Sequence, residues 1–184
     1  MRQPGRKTKH MQLNYPGIGF TEDGRVPEGY RSVVREEYLG EGRDVYLRVA
    51  HGILGWQLQR LAGLRVRADA AVAHPGARVV SGFGAGPFRL DAPCEVVWVR
   101  RPTVAAGAQS AGFGYGTLPG HPARGEESFE VAIDAAGRVV LRITAFSRPA
   151  NWFYAAGALA TRAAQRYVTS RYIEGARTLA AGES

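Results

Sequence analysis

At 184 residues, with 45% hydrophobic and 22% charged content, the chain has material for one well-buried core and resembles neither a disordered nor a fibrous sequence. No apolar run reaches membrane-spanning length, the basic start Met1–His10 leads into no signal-type segment, and the single cysteine, Cys94, excludes an internal disulfide; a cytoplasmic protein is expected. The net charge of +8 comes mostly from arginines spread along the chain, which argues against a nucleic-acid interface built as one basic stripe.

Residues 1–14 read as a flexible basic arm and 15–180 as a single domain. Tyr15–Gly29 is rich in Gly and Pro and reads as loop, with Tyr15, Ile18 and Phe20 available to dock. Tyr30–Tyr38 is the first strand, closed by Gly40 and Gly42. Asp44 is placed to cap a helix running to about Leu61, with Tyr46, Ala50, Ile53, Leu54, Leu58 and Leu61 on one apolar face. Leu64–Val72 alternates as a half-buried antiparallel strand. Short strands follow at Arg78–Phe83, around Phe88–Leu90 and at Cys94–Arg100, with Arg101–Ala108 as a loop.

Gln109–Thr117 is a strand of unusual form. Phe113, Tyr115 and Thr117 share one face, and Gly112, Gly114 and Gly116 the other. A glycine row contributes no packing, so it marks strong curvature or a close backbone approach. It lacks the Lys-Ser/Thr ending and the helix of a phosphate loop. Glu127–Ile133 and Val139–Phe146 form a hairpin across Asp134–Gly137. Ser147-Arg148-Pro149 then opens a long helix to about Leu179, which Gly157 or Gly175 is placed to kink or end. The predicted fold is α+β: a curved antiparallel sheet of six or seven strands gripping a long C-terminal helix. Such a pairing leaves room for a pocket between sheet and helix.

Several segments together resemble a known family: Tyr15-Pro16 with Gly17 and Gly19, Pro27–Tyr30, Ala92–Cys94, Gly112–Pro122, Gly125–Phe129 and Phe146–Pro149. They look like the domain-of-unknown-function family 1990 over roughly Leu13–Arg177. The element order is also similar to the START or birch-pollen-allergen superfamily, the helix-grip fold. That second resemblance is one of topology; it implies a domain that holds an apolar or amphipathic small molecule, some members being cyclases or hydrolases.

His121 is the first candidate for chemistry, because a histidine near neutral pKa serves as acid, base or ligand. The alternative is a loop histidine bonded to its own turn. Glu127 shares strand parity with Phe129, Val131 and Ile133, so on a concave face its carboxylate points inward. Burial raises its pKa unless Arg148 or Arg124 pairs with it. Glu126 then points outward. Arg148 either clamps an anionic ligand group or holds the Gly125–Ser128 corner. Phe113, Tyr115 and Thr117 complete a ligand-binding set with His121, Glu127 and Arg148. Cys94 reads as a buried structural thiol rather than a nucleophile. The histidines and glutamates lack metal-ligand spacing, and no cofactor is expected. Three readings follow: a small-molecule binding module, an enzyme with His121 and Glu127 as acid and base, and a basic protein binding nucleic acid or an acidic partner through its arm.

Overall fold

The computed structural model describes residues 12–83, 90–105, 107–150 and 158–182. Side chains of Phe83 and of 158–165 are not described. Among the described residues there are seven strands: β1 (Arg31–Glu41), β2 (Arg65–Ala68), β3 (Arg78–Phe83), β4 (Leu90–Arg100), β5 (Gln109–Thr117), β6 (Ala123–Ile133) and β7 (Arg138–Pro149). They form one antiparallel sheet in the order β1-β7-β6-β5-β4-β3-β2. Helices α1 (Arg43–Leu54) and α2 (Gln57–Leu61) fill the β1–β2 crossover, and α3 (Ala158–Ala181) follows β7. A curved antiparallel sheet with a long C-terminal helix on one face is the architecture expected from the sequence.

The three described helices lie on one face, which buries the main core. Tyr46, Val49 and Ile53 of α1, Leu58 of α2 and Tyr172, Ala176 and Leu179 of α3 close over Phe113, Phe129, Val131, Leu141 and Ile143 of the sheet. The register lines these up in rows across the strands. One row is Val99–Phe113–Phe129–Ile143–Arg35 and the next is Val96–Tyr115–Glu127–Ala145–Val33. Phe129 packs edge-on to Tyr172 with ring centroids 4.7 Å apart, which ties α3 to the sheet centre.

Five local features depart from the sequence reading. The helix expected over 44–61 is broken: Trp56 adopts a left-handed backbone, φ 65°, between α1 and α2. Its buried indole Nε1–H donates to the Ala70 carbonyl at 3.0 Å, a tertiary bond that outweighs continued helical periodicity. The same bond pulls the chain out of the sheet, so β2 ends at Ala68 rather than Val72. No side-chain cap from Asp44 is made; Gly42 occupies the N-cap position. The Ser147-Arg148-Pro149 segment is strand, not helix start: β7 runs to Pro149, paired with Ala123. Gly175 lies inside α3, against Leu61 and Leu58 of α2, and does not end it. Gly157, Trp152 and most of the expected arm fall outside the described residues.

Candidate functional site

Glu126 and Glu127 are neighbours in β6, and the strand sends them to opposite faces. Glu127 enters the helix-covered face in register with Tyr115 and Ala145. The Tyr115 hydroxyl donates to Glu127 Oε2 at 2.9 Å. Among the described residues Glu127 has no cationic partner. Removal from water therefore raises its pKa to about 7, opposed only by the Tyr115 hydrogen bond. Tyr115 and Tyr172 are both held protonated well above the usual phenol range, by burial first and then by the Glu127 charge. Cys94, buried and free, is pushed up by the same burial, so its thiol stays protonated and is a poor nucleophile.

Glu127 and Ala145 are half-buried and Val33 is 40% exposed, whereas Phe113 and Phe129 are 0% exposed. The carboxylate thus stands beside the fully buried Phe113–Phe129 pair and, on the Ala145–Val33 side, next to less covered sheet.

His121 occupies the β5–β6 loop and bonds to its own turn. Its Nδ1 lies 2.9 Å from the Ala123 amide nitrogen and 3.0 Å from the Ala123 carbonyl oxygen. The amide can only donate, so a neutral ring protonated at Nε2 satisfies it. Burial lowers the His121 pKa to about 4 and keeps the ring in that neutral form, opposed less by the Ala123 carbonyl, which could accept only from a protonated Nδ1. Thr117 likewise serves the framework: its hydroxyl donates to Asn14 Oδ1 at 2.6 Å and accepts the Gly125 N–H at 3.0 Å. Phe113 is wholly core. Arg148 pairs across strands with Arg124 and shares the face of Phe146 and Glu126, the side away from Glu127. Its guanidinium lies over the Tyr30 ring at 4.9 Å. The inner face therefore brings together Tyr115, Glu127 and, from α3, Tyr172.

Glu126 points away from the helices, as strand parity requires, yet it is only 3% exposed. The loop 12–30 crosses the outer face and covers it. Glu126 Oε2 accepts from the Tyr15 hydroxyl and the Gly19 N–H, each at 2.8 Å. Oε1 accepts from the Thr21 N–H at 2.9 Å and from the Thr21 hydroxyl. Trp98 Nε1–H donates in turn to that hydroxyl at 2.9 Å. The glycine row makes room for this layer. A Cβ on Gly116 would lie 2.0 Å from Tyr15 Oη, and one on Gly114 2.2 Å from Trp98 Nε1. Burial and the Glu126 charge push the Tyr15 phenol far up, so it remains a donor. An open groove at the C-terminal end of β6, lined in part by Gln109, Ser110, Glu130 and Arg138, is a separate feature. Among the described residues no group of His, Cys, Asp and Glu is arranged to hold a metal ion, and no helix is long and apolar enough to cross a membrane.

A curved antiparallel sheet closed on one face by a long C-terminal helix defines a helix-grip protein. Solved chains bear out that fold. A hypothetical protein of Helicobacter pylori superimposes with a TM-score of 0.55 at 11% identity, covering 97% of this chain and 100% of its own. A Thermus thermophilus protein superimposes with a TM-score of 0.53 at 14% identity, covering 84% of this chain and 99% of its own. At these identities the likeness concerns the fold alone. The chain belongs to the family described as domain of unknown function DUF1990, whose profile matches residues 14–175. It is 32% identical over 176 residues to a UPF0548 protein of Deinococcus radiodurans, covering 93% of this chain and 85% of that one.

Proposed function

We propose that this domain binds a small apolar or amphipathic molecule between the sheet and α3, with Glu127, Tyr115 and Tyr172 at its polar end. The observation that carries this reading is a desolvated carboxylate that, among the described residues, has one hydrogen bond and no cation, beside the buried Phe113–Phe129 pair. A carboxylate in that state lacks donors, and a ligand hydroxyl or amine supplies one. The apolar part of the ligand lies along the inner face toward Ala145 and Val33.

The same raised pKa suits proton transfer near neutrality, so acid/base catalysis by Glu127 is the second reading. His121 supports it less, being neutral and bonded through Nδ1 to Ala123. A partner for the basic arm rests on residues outside those described.

The test is displacement of a neutral apolar fluorophore from the full chain by decanol, decylamine and decanoate at pH 8. Decylamine and decanol are expected to displace at lower concentration than decanoate, because the ionised Glu127 repels the last. In Glu127→Gln the penalty on decanoate should shrink at least tenfold. Failure of the wild type to retain the fluorophore, or an unchanged ranking in Glu127→Gln, overturns the proposal. Turnover of a bound ester that disappears in Glu127→Gln while affinity survives would select the catalytic reading.

A further inference from the structure

The outer face carries a second cluster, at the β6–β7 end farthest from the Asp134–Gly137 turn. Arg124 and Arg148 stand opposite each other in the register, so both side chains leave the same face. Directly opposed like charges destabilise an antiparallel pair. Some strand arginines are answered by carboxylates, Arg78 by Glu95 at 3.1 Å and Arg142 by Glu36 at 2.6 Å. Among the described residues neither Arg124 nor Arg148 has an ion pair. The next carboxylate along β6 on that face, Glu126, is already engaged by Tyr15, Gly19 and Thr21.

Two polar atoms at this corner are buried without a partner: Arg124 Nε and Tyr30 Oη. Tyr30 belongs to the cluster, since its ring packs under Arg148 and against Phe146, with centroids 5.6 Å apart in the latter pair. Buried polar groups are ordinarily satisfied, and one left without a protein partner calls for water or an ion. Two planar guanidinium forks leaving one face, beside a tyrosine, suit the several acceptor oxygens of a tetrahedral anion, where a carboxylate would be saturated by one fork. We propose that Arg124, Arg148 and the Tyr30 hydroxyl form a binding site for a phosphate group, free or esterified. Arg148 is exposed and Arg124 half-buried, so the anion enters from the Arg148 side. The site lies on the face opposite Glu127, and its existence is independent of ligand binding there.

Calorimetric titration of the full chain with sodium phosphate, and separately with phenyl phosphate, tests it at ionic strength held constant with sodium chloride. One site per chain is expected, weakened tenfold or more in Arg148→Gln and measurably in Tyr30→Phe. Arg148→Lys, which keeps the charge without the fork, should recover only part of the loss. Binding of both probes identifies free phosphate as sufficient, and binding of phenyl phosphate alone identifies an ester. No heat beyond a chloride titration for either probe, or wild-type affinity in Arg148→Gln, overturns the proposal. Arg148 is exposed, so that variant folds irrespective of any damage from replacing Arg124.

Discussion

Glu126 and Glu127 are the same residue type, one position apart on one strand, and they do opposite work. Glu126 faces the outer side, away from the helices, where four donors from the 12–30 loop surround its carboxylate. Glu127 faces the main core side, where, among the described residues, a single phenol answers it. A carboxylate with a full set of donors is a fastener, because every donor it satisfies is held in place and would be left buried and unpaired without it. A carboxylate with one donor and little water retains chemical potential for a ligand or a proton. Burial alone does not separate structural from functional acids; the number of donors facing the group does.

The largest effect should come from removing the fastener. Glu126→Ala leaves the Tyr15 and Thr21 hydroxyls and the Gly19 and Thr21 amides without their acceptor. Chemical denaturation should show a loss of about 3–5 kcal/mol; a loss below about 1 kcal/mol would mean the loop is held by other contacts. Gly116→Ala attacks the same layer from the sheet side, since its Cβ would lie 2.0 Å from Tyr15 Oη. A loss of about 2–3 kcal/mol is expected, with amide exchange quickening in residues 14–21 before the helices.

Glu127→Gln should behave oppositely. With its folded pKa raised to about 7, Glu127 binds a proton more readily in the folded than in the unfolded chain. The Glu127 contribution to stability therefore falls as pH rises from the unfolded value through about 7, and levels off above it. The variant should lack that slope and be more stable than wild type at pH 8 by on the order of 2 kcal/mol, with the gap closing near pH 4. A variant less stable than wild type at pH 8 would show that Glu127 is a second fastener.

The smallest effect concerns His121. Its folded pKa of about 4 lies below the unfolded value, so its contribution is present above the unfolded pKa and is lost as pH falls through about 4. This slope opposes that of Glu127 between roughly pH 4.5 and 6.5, so wild-type stability should be nearly flat there. Proton NMR should find the His121 ring neutral at pH 5.5. Titration near 6.5 would return it to candidacy as an acid/base group.

Much of this was legible beforehand. Period-two alternation assigned Glu127 to the face of Phe129, Val131 and Ile133, and the glycine row announced a close approach. What approaches was hidden, because Tyr15, Thr21 and Trp98 are far from Gly114 and Gly116 in sequence. The outward parity of Glu126 was legible too, but outward is not exposed when a distant loop covers the face. The face of Arg148 could have been found by counting two residues from Phe146, had β7 been known to continue to Pro149. A Pro in a strand that ends there reads as a helix start when the partner strand cannot be seen.

By itself, then, the sequence determined most element types, the antiparallel sheet with its long C-terminal helix, and the face on which the residues of β5 and of Glu126–Ile133 lie. These follow from periodicities of two and 3.6 residues, which are local. Only the tertiary structure decided that Trp56 interrupts a helix, that the 12–30 loop buries Glu126, and that Tyr115 alone among the described residues donates to Glu127. Each depends on hydrogen bonds between residues brought together from distant parts of the chain, and no local pattern encodes those.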